Sequence, residues 1–182
     1  MIKIGAILAA AGFLAMSGLA APDVKVEVKG LHLCCNGCNN AATGAINGAG
    51  GKEAAASGGT ITFSAANEKA AQKALDALAG AGFHGTVDSK TLAVKDDSGA
   101  TPPGKNPKPV IVSSATFKGI HNCCDGCNKP IKEAIKGVEG VTSDDAAKGN
   151  GTFTVKGKFE PAKVVAALNA AGYHCKLEKV ER

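Results

Sequence analysis

Residues 30–39 read GLHLCCNGCN, and residues 119–128 repeat this sequence as GIHNCCDGCN. Each copy contains a His, a pair of adjacent Cys and a further Cys three residues after that pair. The copies are offset by 89 residues at matched positions (119 − 30 and 127 − 38). Thiols at this density suit soft metal ions or thiol redox chemistry. The repeat therefore indicates two domains, each with a sulfur-rich turn before a helix.

Chain length and composition agree with two small domains. The chain has 182 residues, which leaves roughly 70 residues for each copy, near the lower size for independent folding. It contains 24 Gly, six Phe, one Tyr and no Trp, so we expect small hydrophobic cores. The formal net charge of +5 comes without a long basic run. We therefore predict no nucleic-acid partner.

The proposed domain boundaries follow from a change in composition between the two copies. We predict a first domain over residues 22–95 and a second over residues 110–182. The linker between them, residues 96–109, contains four Pro, two Gly and no large apolar residue. Such a composition is typical of an exposed, semi-extended segment. We expect the two domains to move independently unless they share a ligand.

Residues 1–21 have the features of a signal peptide. Lys3 supplies the positive charge, residues 4–16 are all apolar or Gly, and small residues precede a predicted cleavage after residue 20 or 21. The alternative is an uncleaved membrane anchor, for which the apolar run is only marginally long. We predict an exported protein, periplasmic or secreted, whose mature form does not contact a membrane.

Apolar periodicity predicts the same order of elements in both copies. For the first copy it predicts strands at Val24–Val28, at Thr60–Phe63 and within 83–94, a weak strand signal at 48–59, and helices from about Cys38 to 46–48 and over Glu68–Ala79 after an Asn67 cap. For the second copy it predicts strands at Val112–Ile120, Val141–Ala146, Thr152–Lys156 and Tyr173–Lys179, and helices over Cys127–Val138 and from Pro161. Each copy therefore reads βαββαβ, so we predict an α+β fold of two ferredoxin-like domains in tandem.

The second copy resembles the heavy-metal-associated domain family, which includes copper chaperones, periplasmic mercury-binding protein and plant metallochaperones. The resemblance rests on the CDGC motif at 124–127, the GVEGV segment at 137–141 and the AGY motif at 171–173. The first copy matches through its Cys loop, Ile61–Phe63 and the AGF motif at 81–83, but has lost most of the GVEGV segment. A Cys-x-x-Cys motif alone is weak evidence, and its surroundings, present twice, make it specific.

The resemblance implies that Cys35 and Cys38, and likewise Cys124 and Cys127, are metal-binding thiols. The residues support this independently, since thiolates are soft ligands that suit Cu(I), zinc or another thiophilic ion. The last Cys of each motif is predicted at a helix N-terminus, where free N–H groups and the helix dipole favour the thiolate.

Each loop departs from the family pattern by adding two candidate ligands. Cys34 and Cys123 supply a third thiol, and His32 and His121 supply an imidazole. Together they form the pattern His-x-Cys-Cys-x-x-Cys. The added ligands favour three- or four-coordinate binding, as zinc or cadmium prefers, over simple two-coordinate Cu(I).

Three further residues have roles that the sequence leaves open. His84 and His174 follow the repeated Gly-aromatic pair, and they are supplementary ligands if that loop packs beside the Cys loop. They are exposed instead if they point away from the inward-facing aromatic residue beside them. Cys175 has the parity of Tyr173, which favours a small buried core residue over a ligand.

We predict an exported protein, not an enzyme, that binds and transfers a soft metal ion. Cu(I) is the first candidate, followed by zinc, cadmium or mercury, and the partner would be a metal-exporting or metal-accepting protein. Two alternatives stay open: a thiol–disulfide oxidoreductase, and an interaction module whose Cys form disulfides after export. The sequence lacks the Trp and Pro surroundings of thioredoxin-like sites, which counts against the oxidoreductase.

Overall fold

The computed structural model describes residues 23–101 and 108–182, which fold into two domains of the same architecture. The predicted signal peptide and its cleavage position lie outside the described residues, as does most of the Pro-rich part of the predicted linker. Each domain has four strands and two helices in the order βαββαβ. The predicted pair of ferredoxin-like domains is thereby confirmed.

The first domain consists of β1 (Val24–Lys29), α1 (Asn36–Gly48), β2 (Lys52–Ser57), β3 (Thr60–Ala65), α2 (Glu68–Gly80) and β4 (Thr86–Val87). The second consists of β5 (Val112–Lys118), α3 (Asp125–Lys136), β6 (Val141–Asp144), β7 (Thr152–Phe159), α4 (Pro161–Ala170) and β8 (Lys176–Glu181). The sheet orders are β2-β3-β1-β4 and β6-β7-β5-β8, with neighbouring strands antiparallel. The inner strands β1 and β5 each lead directly into a Cys loop.

The two hydrophobic cores differ in the size of their side chains. Helix α1 buries Ala42 at the position where α3 buries Ile131. In the second domain, Phe117 and Phe153 also stack with ring centroids 5.3 Å apart. Burial of apolar surface contributes about 25 cal/mol per Å². The second domain therefore has the larger hydrophobic contribution to its stability.

Both first helices begin two residues earlier than the sequence predicted. Cys35 and Cys124 are the N-cap residues, with extended φ values of −155° and −150°. The predicted starts near Cys38 and Cys127 are wrong because the last Cys of each motif lies within the first turn, not at its beginning. That position turns the side chain of the last Cys towards the core, where its exposure is 0%.

The end of the first domain and the segment that follows it differ most from their predictions. The strand expected within residues 83–94 forms only at Thr86–Val87. Residues 96–100 are not fully exposed, as a linker would be, since Ser98 and Ala100 are buried and the Ser98 carbonyl accepts a hydrogen bond of 2.7 Å from Leu177 N. The first part of the predicted linker therefore packs beside the start of β8.

The helices of the described residues are short. The longest, α1 and α2, have 13 residues each, and none is long and apolar enough to cross a bilayer. A membrane-spanning helix needs about 20 predominantly apolar residues.

Candidate metal centre

The two Cys loops, taken as residues 30–38 and 119–127, each run from an inner strand into the first turn of the first helix of its domain. Each loop starts with a Gly in the left-handed region, at φ +81° and +80°, which turns the chain sharply out of the strand. The next residue, Leu31 or Ile120, is buried and anchors the loop to the core. The His and Cys that follow are thereby held at one end of the domain.

The two domains are in direct contact at this end, through backbone hydrogen bonds. His174 N donates to Gly82 O at 3.0 Å, and His84 N donates to Gly172 O at 3.1 Å. His32 N donates to the same Gly172 carbonyl at 3.4 Å. The last loop of each domain therefore packs against the other domain.

Two glycines permit the close approach. A Cβ at Gly82 would lie 2.2 Å from His121 N, and one at Gly172 would lie 2.3 Å from His32 N. Both glycines also have positive φ, +89° and +87°. Any side chain here would collide with the opposite backbone, so these two positions set the distance between the domains.

Aromatic stacking holds both loop histidines across the interface. The His32 ring stacks on Tyr173 with centroids 4.7 Å apart, and the His121 ring stacks on Phe83 at 4.5 Å. Phe83 and Tyr173 are themselves paired by an isolated antiparallel bridge. Each stack joins the Cys loop of one domain to the Gly-aromatic loop of the other, which fixes the imidazoles beside the thiols.

Six sulfur atoms converge between the domains, three from each loop. We call them the six-sulfur cluster: Cys34, Cys35, Cys38, Cys123, Cys124 and Cys127. At its centre, Cys38 Sγ and Cys127 Sγ lie 3.5 Å apart. Across the interface, Cys34 Sγ lies 3.4 Å from Cys127 Sγ, and Cys123 Sγ lies 3.6 Å from Cys38 Sγ. Within each domain, the last thiol lies 3.4–3.9 Å from the two thiols that precede it.

The spacing of the sulfurs fits a thiophilic ion that takes three or four of them. Sulfurs bound at 2.3 Å to a tetrahedral ion stand about 3.8 Å apart. Nine sulfur pairs in the cluster lie at 3.4–3.9 Å. A linear two-coordinate ion with the same bond length would hold its sulfurs about 4.6 Å apart. The cluster is too compact for that geometry at these pairs.

Exposure differs within the cluster. The last Cys of each loop, Cys38 or Cys127, is completely buried. The first, Cys34 or Cys123, is exposed, and the second is half-buried. The cluster therefore has a buried floor and an open rim through which an ion or a partner's thiol can approach.

Neighbouring thiols also differ in proton affinity. The backbone N–H and then the thiol of Cys38 donate to the Cys35 sulfur and lower the pKa of Cys35 to about 6. The backbone N–H of Cys127 likewise lowers the pKa of Cys124. The Cys34 sulfur is desolvated among its neighbours, which raises its pKa to about 12. Each loop thus offers one thiolate first, at the helix N-cap.

The two loop histidines lie beside the cluster. A ring nitrogen of His121 lies within 4.8 Å of three of the six sulfurs, and one of His32 lies within the same distance of two. His121 Nε2 is buried without a hydrogen-bond partner among the described residues, while His32 Nε2 donates to Gly126 O at 3.1 Å. Burial lowers the pKa of both imidazoles, which favours the neutral form that can bind a metal.

His84 and His174 are in none of the ligand groups that come close enough to share an ion in the described parts of the chain. Their rings stack on each other with centroids 6.2 Å apart, and His174 Nε2 lies 2.7 Å from Asp97 Oδ1. The sequence left open whether His174 is a ligand or is exposed. The second expectation is wrong, because His174 is 1% exposed and Asp97 covers it. Cys175 is a buried core residue, and burial raises the pKa of its thiol to about 12.

The sequence places the thiols in two separate loops and does not show that the loops meet. The signal that could have indicated it is the second repeated motif, Gly-aromatic-His at 82–84 and 172–174. Two copies of one contact surface can pair about a two-fold axis, with each surface meeting its counterpart. The backbone bonds from His84 and His174 form such a pair.

Comparison with known families matches residues 119–174 to the heavy-metal-associated domain. Among curated proteins, the chain is 35% identical over 54 residues to heavy metal-associated isoprenylated plant protein 34 of Arabidopsis thaliana. The aligned part is 30% of this chain and 9% of that protein, so the chain spans under a tenth of this relative's length.

Two solved structures are similar. The crystal structure of oxidized MerP from Ralstonia metallidurans CH34 has 27% identity and a TM-score of 0.31, covering 36% of this chain and 96% of that one. The solution structure of the N-terminal soluble domains of Bacillus subtilis CopA has 15% identity and a TM-score of 0.31, covering 86% of this chain and 95% of that one.

Proposed function

We propose that this protein binds soft metal ions and transfers them to a partner, because residues 119–174 match the heavy-metal-associated domain and the first half of the chain repeats the same fold and Cys loop. One observation carries this function. Six thiols from two loops converge to sulfur–sulfur distances of 3.4–3.9 Å. Sulfur ligands select Cu(I), zinc and other thiophilic ions over oxygen-seeking Mg²⁺ and Ca²⁺.

Cu(I) is the first candidate cargo, and zinc or cadmium the next. All three bind thiolates, and the sulfur spacing suits three or four sulfurs around each ion. The lowered pKa values of Cys35 and Cys124 provide one thiolate in each loop for the first contact. The other thiols release their protons to solvent as they bind, so affinity should rise with pH.

Transfer would proceed from the rim of the cluster towards its floor. The exposed Cys34 and Cys123 are the thiols that a partner's thiolates can replace first. The buried Cys38 and Cys127 would release the ion last, because solvent and partner reach them only after the rim has opened. Binding and exchange of this kind require no catalysis of covalent bonds, and the partner would be a metal-exporting or metal-accepting protein with its own Cys pair.

Export is part of the same proposal. The charge at Lys3 and the apolar run at residues 4–16 support a cleaved leader and a periplasmic or secreted site of action. Expression in a bacterial host followed by mass measurement of the cell fractions tests this. Export predicts a periplasmic chain that begins at residue 21 or 22, and a full-length chain in the cytoplasm would contradict it.

A thiol–disulfide oxidoreductase is the second candidate. It is favoured by the lowered pKa of Cys35 beside the Cys38 thiol, whose sulfur lies 3.4 Å away. A low-pKa thiol at a helix N-terminus with a second thiol in reach can attack a disulfide and then be resolved. Metal affinity and disulfide reduction are separable by experiment.

The test uses the mature chain, reduced and kept anaerobic, titrated with Cu(I) against a chromophoric chelator and weighed by native mass spectrometry. Metal binding predicts tight Cu(I) uptake that is strongly weakened in Cys35→Ser/Cys38→Ser and in Cys124→Ser/Cys127→Ser. Cys175→Ala is the matched control, since it removes a buried thiol outside the cluster. If the chain reduces insulin and does not bind metal, thiol–disulfide exchange is its function and metal binding is not.

A further inference from the structure

The six-sulfur cluster does not divide into one site for each domain. Cys38 Sγ lies within 3.4–3.7 Å of four other sulfurs, two in its own loop and two in the other. Cys127 Sγ likewise has four sulfur neighbours, two from each loop, at 3.4–3.9 Å. The two buried thiols are therefore the shared centre of the cluster.

The four outer thiols pair across the interface and not within their loops. Cys34 Sγ lies 3.6 Å from Cys124 Sγ, and Cys35 Sγ lies 3.8 Å from Cys123 Sγ. Each such pair, with the two central thiols, makes a group of four sulfurs. Each group contains two thiols from each domain, and the two groups are related by exchange of the copies.

We propose, as a deepening of the proposed function, that the protein holds two soft ions in one cage, with Cys38 and Cys127 bridging them. One ion takes Cys34 and Cys124 in addition, and the other takes Cys35 and Cys123. Two four-coordinate ions need eight ligand positions, which six sulfurs fill when two of them bridge. A thiolate sulfur has the lone pairs to bind two ions, and all six thiols lose their protons to solvent on loading.

In this cage each ion is bound by both domains. The docking of the domains is then a condition for binding, and the contacts at Gly82 and Gly172 act as positioning elements of the metal site. A binuclear cage also explains why each loop carries a third Cys, which a two-thiol site does not need. Cys34 and Cys123 each contact both central sulfurs and one outer sulfur of the opposite loop.

The experiment loads the full chain with ¹¹³Cd²⁺ and combines native mass spectrometry with cadmium NMR. The shared cage predicts two cadmium ions per chain, two resonances in the all-sulfur range and a spin coupling between the two metals through the bridging sulfurs. The single variant Cys38→Ser should then perturb both resonances. Uncoupled resonances, one of which is unmoved in Cys38→Ser, would show one independent site per domain and overturn the cage while leaving the proposed function standing.

A second variant pair tests the interface without touching a thiol. Gly172→Ala places a Cβ 2.3 Å from His32 N, whereas Gly149→Ala, at a similar positive φ in the same domain, meets nothing within 4 Å. The cage predicts that Gly172→Ala abolishes the metal–metal coupling and weakens cadmium binding at least tenfold, while Gly149→Ala retains both. Equal behaviour of the two variants overturns the cage, and a wild-type chain that binds neither cadmium nor Cu(I) overturns the proposed function together with it.

Discussion

Adjacent cysteines in each loop differ in chemistry because only one of them caps a helix. Cys35 is the N-cap of α1, and its sulfur accepts hydrogen bonds from the backbone of the first turn, so its pKa falls to about 6. The Cys34 sulfur lies among other sulfurs, where desolvation raises its pKa to about 12. Hydrogen bonding and solvation, not residue exposure, therefore decide which thiol is ionised.

This difference predicts the order of alkylation in the reduced, metal-free chain. At pH 7.5 Cys35 and Cys124 should react with iodoacetamide before the more exposed Cys34, because the thiolate is the nucleophile. The rate at Cys35 should fall to half of its maximum near pH 6, since its pKa is lowered to about that value. Peptide mapping at short reaction times measures both effects. Reaction of Cys34 first, in order of exposure, would contradict the assignment.

Asp97 holds the segment after the first domain onto the second. Burial alone would raise its pKa, but hydrogen bonds from Lys176 and His174 outweigh burial and lower it. A carboxylate whose pKa is lowered by folding stabilises the protein above its unfolded pKa of about 4, and this stabilisation is lost as pH falls through the folded value.

Asp97→Asn should therefore lower the free energy of unfolding at pH 7, by no more than about 1 kcal/mol because the side chain is half exposed. At pH 3, below the unfolded pKa of about 4, the difference should shrink, because the unfolded wild-type chain then binds a proton at this carboxylate. Urea unfolding at the two pH values measures this. Asp88→Asn, at an exposed carboxylate outside the ion pairs of the described residues, is the control. A penalty that is equal at both pH values would point to packing instead of charge.

At the level of helices and strands, the two copies have one plan and unequal cores. Ala42 in α1 occupies the position of Ile131 in α3, and β4 has two residues where β8 has six. The smaller side chain removes buried apolar surface from the first domain, and the shorter strand removes backbone hydrogen bonds from it. Local opening of a protein begins where such contacts are fewest.

Hydrogen exchange of the metal-free chain should therefore show less protection in the first domain. We expect amides of β1 and β3 to exchange at least tenfold faster than those of β5 and β7, with α1 faster than α3. Mass spectrometry of peptic fragments at pH 7 gives the comparison. The substitution Ala42→Ile, which copies the second domain, should slow exchange in the first if the helix can accommodate the larger side chain. Equal protection of both sheets in the wild type would refute the ranking.

The sequence predicts the order of these elements well, and fails where tertiary contacts decide. Alternation at Val24–Val28 and helical spacing at Ile131 and Ile135 are local signals, so their elements are placed correctly. Strand β2, read as KEAAAS, has no β-branched residue and forms by pairing with β3. The burial of Ser98 and Ala100 and the meeting of the Cys loops depend on contacts 70 to 90 residues apart in sequence, which periodicity does not record.

In the whole molecule, the two repeated domains bind each other. Each domain carries a Cys loop and a Gly-aromatic loop, and each of these surfaces packs on the other domain. The contact consists largely of backbone hydrogen bonds and ring stacking at one end of each sheet. Because this interface is small, the two domains can separate and dock again. Sulfur ligation across it would add a strong, reversible bond between the domains.

Metal loading should therefore change how the chain unfolds. In the metal-free chain we expect two calorimetric transitions, with the less well packed first domain unfolding at the lower temperature. An ion bound by both domains stabilises only the docked state, by about 2.7 kcal/mol when the free metal is 100 times the Kd. Cadmium should thus merge the transitions into one at higher temperature, and a chelator should separate them again. In Gly172→Ala, where the domains cannot dock closely, two transitions should persist with cadmium present. A wild-type chain in which cadmium raises both transitions separately, without merging them, would show that each domain binds its ion alone.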